Sequence, residues 1–420
     1  MDQPEEPTPK PSASAPSPSY SSLSRFRECP QAWNYSHVRR LRIDRSDPAR
    51  DFGSWWHAVR AMDSIRRGVE RESLVWCPSE IGTGAGPALT RINGWDPQNP
   101  HPPSWLLRTR SGDKKLPTGA QTIIAIAGAW WRTLTEEVQE EWTAHIGGPL
   151  PDRLTQLDER WRARWAPETA QERPVGVEVP FIVDLDGDGW PATLKGFVDE
   201  IFIDEKRGLL VQRDHKTHKA LQPEEGITTL MDSQHFLYAR GVSAMTREVF
   251  GRDIEAISYD RVRVTAPKSP QLTAAGSLSK SVTDFDAQTY REWVGDGIPW
   301  GEPDTFYQTG KRKGEPKFGI YELDPAVIEK LSDPAALSAW HQRTLQPINP
   351  RVADEHWRSA RDTFDLTRQA MLRISETGAA SRSFDRFKCG RCDFAKLCYA
   401  EMIGGPDGDY DLTEYGLTSR

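Results

Sequence analysis

The chain has 420 residues, a net charge of −7, sixteen tryptophans and no apolar run of about eighteen residues, which allows one elaborated domain or two and argues against a membrane-spanning protein. No basic start followed by an apolar signal core opens it, so the expectation is a cytoplasmic protein that is not exported and has no membrane partner. Five cysteines, three of them clustered near the C-terminus, suit a reduced compartment and metal ligation better than disulfides, and the mild acidity disfavours nucleic-acid binding without excluding it.

Residues 1–19 are rich in Pro, Ser and Glu and read as a disordered tail. From Tyr20, a helix start carrying Leu23 and Phe26 runs to a turn at Pro30. Trp56, Val59 and Met62 then share a helical face that ends at Gly68, with His57 near its start. Residues 77–119 are dense in Gly and Pro and read as an insertion, with Cys77 as a plain buried thiol. Thr122 to His145 predicts one broad-faced helix and Leu154 to Trp165 another. Between residues 175 and 217 the period switches to two, with breaks at DGDG and DEKRG, as in an antiparallel meander. Ile227 to Val249 reads as helix and Ile257 to Val264 as strand. Residues 266–320 form a second insertion, Pro325 to Leu331 and Val352 to Thr377 are helical, and residues 401–420 are an acidic tail.

The last strand of that meander, GLLVQRDHKTHK, presents Asp214 and Lys216 two residues apart and therefore on one face. Such a pair suits metal-assisted phosphodiester chemistry. Asp214 holds a divalent cation, the carbonyl of His215 is a further oxygen ligand, and Lys216 steadies the attacking water or the developing charge. Antiparallel pairing across DEKRG brings Asp199 beside Asp214, and two hard carboxylates fit Mg²⁺ or Mn²⁺. Separately, Cys389, Cys392 and Cys398, spaced C-x2-C-x5-C, point to a bound metal, with zinc among the candidates. No G-x-x-x-x-G-K-[ST] occurs, so no fused helicase motor is expected.

The set Gly196-x-x-Asp199, Asp214-x-Lys216-Thr217 and Gln234-x3-Tyr238 resembles the PD-(D/E)XK nuclease superfamily, and in particular its RecB-like branch. The resemblance implies an α/β fold with a restriction-endonuclease-like core, a central mixed β-sheet flanked by helices, over residues 20–400. It implies His57, Asp199 and Asp214 as metal ligands, Lys216 as the catalytic lysine, Gln234 and Tyr238 as a supporting pair, and Glu178 as an accessory carboxylate. His215 stands where the family often carries an aromatic residue. Cys29 together with Cys389, Cys392 and Cys398 is similar to the [4Fe–4S] staple of AddB-type and CRISPR-adaptation exonucleases. The implied function is a Mg²⁺- or Mn²⁺-dependent DNA exonuclease acting on linear or single-stranded ends in recombination, repair or viral DNA processing, alongside a separate helicase or recombinase. The alternative is a catalytically silent DNA-binding scaffold with a structural metal centre.

Overall fold

The computed structural model describes residues 18–43, 48–76, 119–185, 193–221, 232–268, 270, 285–295, 325–406 and 408–419. Residues 1–17, Cys77, the DGDG turn and most of both expected insertions lie outside the described residues.

The N-terminal segment forms α1 (Tyr20–Glu28), capped by the Ser19 hydroxyl, and α2 (Pro30–Trp33), which continues as a π-helix over Asn34–Val38. Pro30 therefore starts a helix, at the position where a missing N–H costs nothing, rather than marking only a turn. A short strand β1 (Leu41–Ile43) precedes α3 (Pro48–Glu70), which runs past Gly68 and places His57 in mid-helix rather than near its start. The expected single helix over 122–145 is two: α4 (Gly119–Trp131) and α5 (Glu136–Ile146). The break is held by Gln139, whose amide donates to the Trp131 and Leu134 carbonyls, and by the edges of Trp130 and Trp131 against Trp142. A long helix, α6 (Leu150–Thr169), follows.

The two-residue period yields β2 (Glu172–Asp184), β3 (Thr193–Asp204) and β4 (Leu209–His218), joined antiparallel as the sequence predicts. Gly208, at φ 70°, closes the β3–β4 turn with its N–H on the Asp204 carbonyl at 2.7 Å. The next helical region divides at Val242 into α7 (Ser233–Gly241) and α8 (Ser243–Phe250) before β5 (Ala256–Arg263) returns parallel to β4. Helix α9 (Ala287–Gly295) lies inside the expected second insertion, and α10 (Pro325–Leu331) and α11 (Pro334–Leu337) lead to β6 (His341–Pro347), antiparallel to β5. The result is one five-stranded mixed sheet in the order β2-β3-β4-β5-β6.

Helices cover both faces. The larger apolar cluster joins α3, α4, α5 and α6 to Val177 and Val262; the other packs α1, α7 and the long α12 (Pro350–Thr377) on Val175, Val179, Val198 and Leu210. After α12 come α13 (Arg386–Cys389) and α14 (Ala395–Gly404). The acidic tail is ordered where it is described: Leu412–Tyr415 form a 3-10 turn and β7 (Leu417–Ser419) pairs antiparallel with β1. Tyr35 and Leu41 from the start of the chain share an apolar cluster with Phe394, Leu397 and Leu417 from its end, and this cluster draws the tail in.

Candidate active site

Helix α3 passes close to the end of β4 at Gly53, where a Cβ would stand 3.0 Å from the Thr217 Oγ1. One turn further on, His57 places Nδ1 3.2 Å from Asp199 Oδ2. The β3–β4 ladder pairs Glu200 with Arg213 and stops there. Beyond that point the same Asp199 oxygen accepts the His215 backbone N–H at 2.8 Å. Asp199 is thus anchored by two neighbouring elements.

Glu178 completes the group. The β2–β3 register pairs Val177 with Glu200 and Val179 with Val198, which sets Glu178 across from Asp199. Its φ is +49°, a conformation that β-strand residues with side chains seldom adopt and that costs about 1–3 kcal/mol. Here it has a visible effect: Val177 packs with α3 while Val179, which regular alternation would keep on the same face, packs with α1 and α7. The ligand atoms of His57, Glu178 and Asp199 lie within 4.8 Å of one another, the one such trio among the described residues. Two hard oxygen donors and an imidazole make a set suited to Mg²⁺ or Mn²⁺.

Asp214 sits beside this trio rather than in it. Lys216 Nζ lies 3.0 Å from its Oδ1 and 2.8 Å from its Oδ2, and Gln234 Nε2 donates to Oδ1 at 3.2 Å. The trio therefore includes the glutamate read as accessory and leaves Asp214 paired with its lysine. For His215, the contacts run through its N–H to Asp199 and its ring Nδ1, 3.3 Å from Asp260 Oδ2.

The electrostatics follow from burial among unlike charges. Burial alone would raise the Asp199 carboxyl, but the charge of His57, the hydrogen bond from it and the charge of Lys216 outweigh burial and hold it well below the usual carboxylate range. His57 is shifted upward: burial opposes its charge, and Asp199 more than offsets this. Burial pushes Glu178 up to about 8, helped by the Asp199 charge and partly countered by His57. Lys216 is raised because Asp214 and Asp199 together exceed its desolvation, so it is held as the cation.

Gln234 is positioned by α7, whose capping Asp232 accepts the Gln234 N–H at 3.0 Å and the Tyr20 hydroxyl at 3.2 Å. Tyr238, one turn on, meets Phe181 edge to face at 5.1 Å. A Cβ at Gly196 would be 2.7 Å from the Phe181 ring and one at Gly241 2.4 Å, so these two glycines make the space in which Phe181 fixes α7 to the sheet. Tyr238 serves that packing as well as facing a cavity of about 640 Å³, which is also lined by Arg50, His57, Glu178, Lys195, Asp199 and Gln234.

Sequence reasoning missed what lies on the other face of β4. Arg213, 1% exposed, donates to Glu172 at 2.9 and 2.6 Å and to Glu200 at 3.0 Å, and Arg67 from α3 reaches Glu200 at 3.0 Å. Asp260, fully buried, accepts Trp161 Nε1 at 2.7 Å and Arg343 at 3.1 Å. A second cavity, of about 460 Å³, opens over Glu172, Arg213 and Arg343, whose charges are spent on one another. The only sequence signal was charged residues, Arg213 and Asp260, inside otherwise apolar strands.

Of the four cysteines, Cys29, Cys392 and Cys398 are half-buried and pack on the same terminal cluster, close enough for Cys29 to act electrostatically on Cys392. Cys389 is exposed, with its thiol 3.4 Å from the Ser383 carbonyl. No three of them bring their sulfurs within 4.8 Å of one another.

A central mixed sheet flanked by helices, with acidic groups, an imidazole and a lysine gathered where β3 and β4 part, defines an α/β core of the restriction-endonuclease type. The chain belongs to the PD-(D/E)XK nuclease superfamily, whose family model matches residues 104–399, and is thus a metal-dependent nuclease. His57 and Cys29 precede the matched span and join it only through the fold. No curated protein matches the chain. No helix among the described residues is long and apolar enough to cross a membrane.

Proposed function

We propose that the protein is a Mg²⁺- or Mn²⁺-dependent deoxyribonuclease of the RecB-like branch, formed by residues 20–400 and acting as an exonuclease on linear or single-stranded DNA ends. The observation that carries this reading is the meeting of His57, Glu178 and Asp199 within 4.8 Å, beside the Asp214–Lys216 pair. His57, Asp199 and Asp214 would hold the cation, with Glu178 and the His215 carbonyl as further oxygen donors. When bound, the cation neutralises charge at the scissile phosphate and acidifies a water. Lys216, kept protonated by the two aspartates, orients that water or meets the charge developing on phosphorus. Gln234 fixes the Asp214 carboxylate, and Tyr238 with Phe181 fixes the helix that carries Gln234. Arg50 and Lys195 at the cavity wall draw in the phosphate backbone.

The same reading gives the cysteines a [4Fe–4S] cluster in place of zinc. What supports it is the likeness of Cys29 with Cys389-x2-Cys392-x5-Cys398 to the AddB-type staple, and the packing of Cys29, Cys392 and Cys398 on one terminal cluster. The cytoplasm, and recombination, repair or viral DNA processing beside a separate helicase or recombinase, is the setting that suits such an enzyme.

Incubation of end-labelled linear DNA with Mn²⁺ or Mg²⁺ tests the reading. Wild type is expected to release nucleotides, and Asp214→Ala and Lys216→Ala to be slower by about 10²–10³. Equal inertness of all three across single- and double-stranded substrates overturns it in favour of a silent DNA-binding scaffold.

A further inference from the structure

Between α12 and α14 the chain turns unlike the rest of the surface. Phe384 and Phe387 are 80% and 78% exposed, and Tyr399, on the outward side of α14, is 63% exposed. Large aromatics are seldom left so bare unless something covers them. They alternate with cations: Arg386, Lys388, Arg391 and Lys396 are all exposed, and none enters an ion pair among the described residues. Of the two nearby acids, Asp385 is engaged as the cap of α13, taking the Phe387 and Lys388 N–H groups at 2.9 and 3.0 Å. Over residues 384–396, four cations stand against two carboxylates, Asp385 and Asp393, a local excess of positive charge in a chain of net charge −7.

Exposed rings interleaved with exposed cations match the chemistry of an unpaired nucleic-acid strand, which offers base faces to stack and phosphates to neutralise. A protein partner of ordinary acidic character would use the charges but leave the two phenylalanines without a specific role, and base pairs within a duplex present no free faces. We propose that the Phe384–Lys396 knuckle is a single-stranded DNA-binding surface outside the catalytic cavity, with Phe384 and Phe387 as base-stacking platforms and Arg386, Lys388 and Arg391 as phosphate contacts. The proposal rests on the nuclease reading for its choice of DNA, and it adds a grip on the strand outside the cavity that Arg50 and Lys195 help to line.

The test is fluorescence anisotropy of a labelled oligothymidylate with the full chain in EDTA, where hydrolysis plays no part. Phe384→Ala and Phe387→Ala are each expected to weaken binding about tenfold with the salt dependence unchanged, while Phe387→Trp keeps wild-type affinity. Arg386→Gln and Lys388→Gln are expected to lower the slope of log affinity against log salt by about 0.7 each. Because these side chains are exposed, thermal unfolding of the variants should match wild type. Wild-type affinity in both alanine variants overturns the proposal, as does an equal loss on a blunt duplex. Binding that depends on Phe387 in a protein that hydrolyses nothing would sink the nuclease reading and leave this surface standing.

Discussion

Glu178 shows how much one backbone angle can decide. Its left-handed conformation reverses the alternation of β2 and turns a carboxylate toward Asp199 and His57, and its burial raises it toward neutrality in the absence of a cation. A strained, buried acid next to another acid is costly to folding and is explained by a ligand that would take both. Away from the site, His341 makes a residue-level point about pH. Burial lowers it to about 4, against the partial opposition of Asp260 and Asp286. The folded value lies below that of the unfolded chain, so the unfolded state binds the proton first and stability falls as pH drops from about 6.5 toward 4. The loss of stability in urea unfolding between pH 7 and pH 5 is expected to be about 2 kcal/mol greater in wild type than in His341→Gln.

At the scale of elements, β4 joins two unlike environments. One face carries the Asp214–Lys216–Gln234 set; the other buries Arg213 among Glu172 and Glu200, with Arg67 and Arg343 behind them. Arg213→Met leaves two buried carboxylates short of their main partner and is expected to cost about 3–5 kcal/mol in urea unfolding. Adding Glu172→Gln and Glu200→Gln should recover much of that loss. The meander and its lysine were legible because alternation and turn residues are local, and Gly196, Asp199, Asp214 and Gln234 are recognisable by spacing. Glu178's place in the trio was not, since its positive φ arises from the packing of β2 between two helical layers. Nor was β6: HQRTLQP lacks alternation because Arg343 packs on Trp161 and Trp165 through its guanidinium, where an apolar side chain would otherwise stand. The split between α4 and α5 was hidden because tertiary contacts of Trp142 and Gln139 make it.

For the whole molecule, the notable feature is that its first and last described segments are joined. Gln31 exchanges hydrogen bonds with Ala380 and Ser381, the Tyr35 hydroxyl donates to buried Glu401 at 2.6 Å, and β1 pairs with β7. A cluster on Cys29, Cys389, Cys392 and Cys398 would add a covalent-strength link to this clasp, closing a loop of about 360 residues. Anaerobically purified protein is expected to show broad absorbance near about 400 nm that Cys392→Ala abolishes, together with a lower unfolding temperature. Colourless protein with bound zinc would contradict the iron–sulfur assignment. None of the four cysteines lines the cavity, so loss of the cluster should act first on stability.

The central claim is that His57, Glu178 and Asp199, together with Asp214, hold a divalent cation beside Lys216. Electron paramagnetic resonance of Mn²⁺ titrated into the protein measures this without relying on turnover. The expected result is saturable loss of the free-ion signal in wild type and Lys216→Ala, with binding weakened at least about tenfold in Asp199→Asn and Glu178→Gln. Undiminished Mn²⁺ binding in both carboxylate variants would contradict it.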